Sequence, residues 1–216
     1  MTNPLRDDRD GPGPGATAEP ERLSLRLRDA TREAHERVEA LSGLPDSIRD
    51  RADYATCLAA MLGVWGPIER DLRRWPDWEA LGLEPAGRAR GPLLEQDLME
   101  LQVGAEAVPA VPVGPSGSFA EALGRLYVLE GSALGGRLIL AALRRRPDLD
   151  LGEATRFFDG RGSDTGRLWG ALRTALDRFG DRDPRAGAAV IRGAHDAFAA
   201  FAAAFARHRG ARNEAA

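Results

Sequence analysis

The sequence is poor in the residues that usually carry metal and redox chemistry. It has one cysteine, Cys57, and three histidines, His35, His195 and His208. A single cysteine excludes an intrachain disulfide and any cysteine-rich metal site. Cys57 lies in an apolar helical run and is expected as a buried small hydrophobe. The net charge is −3, with both signs spread through the 216 residues, so there is no basic footprint for nucleic acid. No run of about 18 apolar residues is present, and no membrane insertion is expected. Strand-like alternation and internal repeats are also missing. Residues 1–20 are polar and rich in Gly, Pro and Asp, without an apolar h-region. They are expected to form a disordered tail rather than a secretory signal, and the default compartment is cytoplasmic.

What remains is helical periodicity. A first helix is expected from about Glu21 to Leu41, ending at Gly43 and Pro45, with a core stripe of Leu27, Ala30, Ala34, Val38 and Leu41. His35 sits at the edge of that stripe, with Thr31 and Arg28 one and two turns earlier on the same face. A second helix covers about Asp53 to Arg74, kinked by Pro67. Pro92 suits the first position of a short helix to about Leu101, and Gln102 to Gly117 reads as a loop. Asp150 and Glu153 suggest a cap for a short helix ending near Phe158. Another helix runs from Asp164 to Phe179, stopped by Gly180. Asp183 and Pro184 open the last, which carries Ala194, Phe198, Phe201 and Phe205 on one side. Its His195 reads as structural or surface-exposed, and His208 as solvated. The class is all-α, a single-domain helical bundle over 21–208 with a C-terminal tail at 209–216.

The remaining helix is the unusual one. Ser118 and Glu121 form an S-x-x-E capping box at its start, and apolar residues follow at helical spacing to about Arg146. Gly131, Gly135 and Gly136 nevertheless lie inside it. Each costs about 1 kcal/mol against alanine, so the backbone there should approach something closely. With Ser132, these glycines leave one face of the helix nearly bare. Arg125, Glu130 and Arg137 argue against a membrane dimer motif, and no strand precedes the segment as a dinucleotide loop would need. Another helix or a flat planar ligand could lie on the bare face, and spacing alone leaves both open.

A resemblance separates them. Leu27-Arg28-Asp29-Ala30-Thr31-Arg32-Glu33-Ala34-His35-Glu36-Arg37-Val38-Glu39 resembles the first helix of haem oxygenases, and Gly131-Ser132-Ala133-Leu134-Gly135-Gly136 resembles their distal helix. Tyr127-Val128-Leu129-Glu130-Gly131 is most similar to the bacterial, biliverdin-producing branch associated with bacteriophytochromes. The resemblance spans about Leu23 to Phe205. It implies a haem-oxygenase-like fold and haem b as both cofactor and substrate, cleaved with O2 to biliverdin, carbon monoxide and ferrous iron. It implies that His35 is the proximal iron ligand and that Gly131, Ser132, Gly135 and Gly136 form the distal catalytic face. Arg28 would bind a haem propionate, with Thr31 and Tyr127 nearby and Arg167 and Arg173 as further basic partners. The implied partners are haem, an external electron donor such as ferredoxin or a reductase, and a bacteriophytochrome that takes up the bilin.

Two departures stand out. Many relatives carry aspartate directly after the first distal glycine, where it orders a proton-delivering water network. Here the residue is Ser132, whose hydroxyl is a poor acid. Tyr127 is one position from the propionate-binding tyrosine of some relatives. The competing readings are a haem carrier or sensor without turnover, a di-iron oxidase, a thiaminase-like hydrolase and a helical interaction protein. A di-iron site needs several carboxylates and repeated histidines on facing helices. A thiaminase-like enzyme needs an activated cysteine, and Cys57 has no activating partner in sequence.

Overall fold

The helix that carries the glycines starts as its local chemistry dictates. Ser118 is extended, and its Oγ accepts the Glu121 N–H at 3.2 Å. The Glu121 carboxylate reaches back to the Gly117 N–H at 2.7 Å, one residue beyond the usual capping-box partner. In the computed structural model, which describes residues 21–214, this helix is the fifth of eight. In order they are α1 (Leu23–Ser42), α2 (Arg51–Leu72), α3 (Pro85–Arg88), α4 (Gly91–Glu100), α5 (Phe119–Leu143), α6 (Arg156–Asp159), α7 (Asp164–Arg182) and α8 (Gly187–Glu214). Short 3-10 turns occupy Glu79–Leu81 and Ala105–Ala107, and no strand occurs among the described residues. The expected tail at 1–20 lies outside them. α8 runs on to Glu214, past the boundary expected at 208.

Two glycines let α5 and α8 cross almost backbone to backbone. A Cβ on Gly124 would collide with the Val190 carbonyl, and one on Gly193 with the Glu121 carbonyl. Helix packing is thus the reason for glycine at these two positions. Both helices are long and apolar enough to cross a membrane, with mean hydropathies of 1.4 for Phe119–Leu143 and 1.2 for Gly187–His208. Their setting is that of core helices. Within α5, Arg125 is buried against Asp71 at 2.9 Å and Glu130 against Arg88 at 3.2 Å.

Several local readings are corrected by distant contacts. Gly180 does not stop α7, which continues to Arg182; a Cβ there would lie 2.8 Å from the Leu23 Cβ, so it is the packing of α7 on α1 that requires glycine. α8 begins at Gly187, and the Asp183 carboxylate caps the turn before it through the Arg185 and Ala186 N–H groups at 3.1 and 3.3 Å. His208, expected in solvent, is only 8% exposed within α8. His195 is exposed and Cys57 is buried, as expected. In α1 only Leu27 of the expected stripe is fully buried. Ala30 is exposed, and Ala34, Val38 and Leu41 are half-covered, on a helix that borders an open cleft.

α6 is capped from a distance rather than by Asp150 or Glu153. The fully buried Asp97 carboxylate accepts the Phe157 N–H at 2.8 Å and the Arg156 N–H at 3.1 Å. Burial pushes its pKa up, and the two N–H groups and the Arg156 guanidinium oppose the shift. Asp97→Ala leaves those donors buried and unpaired. It is expected to destabilise the fold by about 2–4 kcal/mol, read as a lower melting temperature by circular dichroism. An unchanged melting temperature would mean that α6 does not depend on this cap.

Candidate functional site

α1 and α5 both pack on α8, and a cleft of about 740 Å³ opens between them. Cofactor and small-molecule sites span about 300–1,000 Å³. α1 borders the cleft with Arg28, Thr31, Arg32, His35, Val38 and Glu39. α5 contributes Tyr127, Gly131, Ser132, Gly135 and Gly136. Trp65, Phe157, Phe158, Phe198, Phe201 and Phe205 close it with aromatic surface.

His35 is the only cleft-lining histidine among the described residues. Its side chain is 55% exposed, its ring meets Phe198 edge-on at 5.8 Å, and its Nδ1 lies 3.6 Å from Glu39 Oε2. The carboxylate near Nδ1 leaves Nε2 free on the other side of the ring, an arrangement compatible with a ligating imidazole. One turn earlier, Thr31 is buried. Its Oγ1 donates to the Leu27 carbonyl at 2.7 Å and lies near the Tyr127 hydroxyl. Burial raises the Tyr127 pKa, opposed by Thr31 and by the nearby charges of Arg28 and Arg173. The Tyr127 ring packs against Trp169 at 5.2 Å.

The glycines of the bare face have different neighbours. A Cβ on Gly135 would meet nothing within 4 Å, and it is this position that faces open space. A Cβ on Gly131 would touch Trp169 at 3.4 Å, and one on Gly136 would touch Phe158 at 3.3 Å. Both of these also border the cleft. The Ser132 Oγ donates to the Leu129 carbonyl at 2.7 Å and accepts from Arg90 Nη1 at 3.3 Å.

The cations divide into two groups. Arg28 and Arg32 line the cleft; the Arg28 side chain is 67% exposed and its Nε lies 3.0 Å from Asp29. Arg167 and Arg173 are not part of the lining, and Arg167 pairs with Asp164 at 3.2 Å. Glu39, Arg32, Trp65 and Arg90 were not singled out from sequence. Glu39 stands four residues after His35, so helical spacing alone could have found it. Nothing local announces Arg90, which is 42 residues from Ser132.

These features define a class: a helical bundle with an aromatic-walled cleft bordered by one imidazole and by a glycine-rich helix face. The chain belongs to the haem oxygenase family, since the model of that family, described as "Heme oxygenase", matches residues 21–207. A heme oxygenase from Xanthomonas campestris pv. campestris (strain 8004) is 42% identical over 72 residues. That match covers 33% of this chain and 41% of the relative's length. The heme oxygenase from Neisseria meningitidis, solved with NO and CO bound, superposes with a TM-score of 0.74 at 21% identity, covering 88% of this chain and 94% of that one. Heme oxygenase-1 from Synechocystis sp. PCC6803, solved in complex with heme, gives 0.71 at 18% identity, covering 90% and 95%. At these identities the superpositions show a shared fold. Among the described residues no three His, Cys, Asp or Glu side chains converge as metal ligands, so the di-iron reading lacks a ligand set.

Proposed function

We propose that this chain is a haem oxygenase that cleaves haem to biliverdin, carbon monoxide and ferrous iron, consuming O2 and electrons from an external donor. The observation that carries the reading is the open space at Gly135, in a cleft that also holds the imidazole of His35. The residues fit haem: an aromatic wall for the macrocycle, one imidazole for the iron, and two arginines at the border for the propionates.

Bound haem supplies the iron that activates dioxygen and the ring carbon that is oxidised. The protein supplies the setting. His35 would hold the iron through Nε2, with the Glu39 carboxylate near its Nδ1. Arg28 and Arg32 bind carboxylates, for which guanidinium is suited; Arg173, close enough to act on Tyr127, and Arg167 are further candidates. The Gly135 backbone leaves room for dioxygen. With its only proton committed to the Leu129 carbonyl, Ser132 serves as an acceptor that orients water.

The reading extends to a cytoplasmic enzyme, reduced by ferredoxin or a reductase and supplying a bilin chromophore to a bacteriophytochrome. Its support is the similarity of Tyr127 to Gly131 to that branch. Hemin titration of the purified chain tests the binding step. The expected result is stoichiometric uptake with a histidine-type Soret band; the absence of a defined Soret band would contradict it.

Arg28→Ala is expected to weaken hemin affinity about three- to tenfold, the loss of one exposed charge-assisted contact. It should also shift the ratio of biliverdin isomers, because the ring gains freedom to rotate in its plane. Titration and chromatography of the extracted pigment check both. If neither changes, Arg28 is only the surface partner of Asp29.

A further inference from the structure

A cation lies behind the α5 wall of the cleft, and the function proposed above leaves it without a task. Arg90 precedes α4 and is 4% exposed. Its guanidinium carbon lies 4.2 Å from the Phe157 ring centroid and 5.3 Å from that of Trp65. Nη2 donates to the Phe157 carbonyl at 2.6 Å and Nη1 to the Ser132 Oγ at 3.3 Å. Nε has no hydrogen-bond partner among the described residues.

The nearby carboxylates are otherwise engaged. Glu69 accepts the backbone N–H groups of Arg90 and Gly91 at 2.6 and 3.0 Å, and Glu130 pairs with Arg88 at 3.2 Å. Among the described residues, no carboxylate oxygen comes within 4.0 Å of the Arg90 guanidinium. Glu130 and Glu69 act on Arg90 through space and offset part of its field, while the guanidinium itself is held by neutral acceptors and ring faces. Burial lowers the Arg90 pKa to about 10, opposed by Glu130 and Glu69, so the group stays charged at neutral pH.

The direction of that field matters. Trp65, Phe157 and Ser132, which stand around the Arg90 guanidinium, all line the cleft. The charge therefore stands one side chain behind the wall, where solvent screening is weak. Ser132 is locked as well: its proton goes to Leu129 and one lone pair faces Arg90, leaving one acceptor site and no donor.

We propose that Arg90 is a positioning residue that makes the α5 side of the cleft favour anionic over neutral small ligands and holds Ser132 as a hydrogen-bond acceptor. The proposal rests on haem occupying the cleft.

The test compares fluoride, an anion, with imidazole, a neutral ligand, on the hemin-loaded full chain by visible spectroscopy. Arg90→Met is expected to lower fluoride affinity about tenfold or more, the size of a charge effect across a weakly screened wall, while imidazole affinity stays within about twofold. Arg90→Lys should retain most of the fluoride affinity. If Arg90→Met does not fold, Arg90→Gln, which keeps hydrogen-bond donors but no charge, carries the same forecast. Unchanged fluoride affinity in the neutral variant overturns the proposal. A parallel fall for both ligands also overturns it, because it marks Arg90 as packing only. Wild-type protein that takes up no hemin overturns the functional reading together with this one. Normal hemin uptake without the fluoride effect overturns this one alone.

Discussion

His35→Ala is expected to abolish the histidine-type spectrum of the hemin complex and nearly all haem turnover, with added imidazole restoring part of both. No other described histidine borders the cleft, so no second imidazole on the α1 wall can take over the iron. The substitution should leave the haem-free fold intact. The His35 side chain is 55% exposed, and its contacts are the edge of Phe198 and the carboxylate of Glu39. Exposed substitutions of this kind stay within about 0.5 kcal/mol. Loss of the spectrum at unchanged apo stability is thus the signature of a lost ligand rather than a damaged protein. An unchanged Soret band with unchanged turnover would remove His35 from the site.

Gly135→Leu is expected to abolish or divert haem oxidation while leaving the apo protein as stable as wild type, or more so. Leucine is better than glycine in a helix by about 0.8 kcal/mol. A Cβ at 135 meets nothing within 4 Å, so the new side chain enters the cleft and not a neighbouring helix. There it takes the room that dioxygen requires. Gly124→Leu is the informative contrast on the same helix. Its Cβ would run into the Val190 carbonyl, and overpacking a helix crossing costs about 1–3 kcal/mol or more. The two variants should separate completely in melting temperature of the haem-free protein. A clear drop for Gly135→Leu, with the remaining folded protein turning over normally, would show that Gly135 serves packing.

The same contrast marks what the sequence could reveal. Spacing alone left the bare face of α5 open between helix packing and a planar ligand. Close packing and open space both occur on this helix: Gly124 serves the crossing with α8, Gly136 lies against Phe158, and Gly135 faces the cleft. One-dimensional spacing cannot tell a glycine that faces a backbone from one that faces a void. Elements set by their own residues were legible, such as the start of α5 at Ser118 and the end of α1 at Gly43, where φ is +61°. Those set by distant partners were not. Gly180 reads locally as a helix stop but is required by Leu23 on α1, and α6 depends on Asp97, 60 residues before Phe157.

The site divides in the same way. Arg28, Thr31 and His35 share one helix face, and all three line the cleft. Tyr127 lines the same cleft from α5. Ser132 was visible as a departure from the family pattern, but its partner was not. Arg90 comes from the start of α4, and the turn that brings it behind α5 is held by Glu69 on α2. No short-range signal carries that three-way contact.

Aerobic reduction of the hemin complex, with the pigment extracted and carbon monoxide measured, tests the central claim most directly. The account predicts that the Soret band decays as biliverdin and carbon monoxide appear in equal amounts. It also predicts that His35→Ala blocks both products. Haem that stays bound and intact under sustained reduction in air would contradict it and would mark the chain as a haem carrier with the fold of an oxygenase.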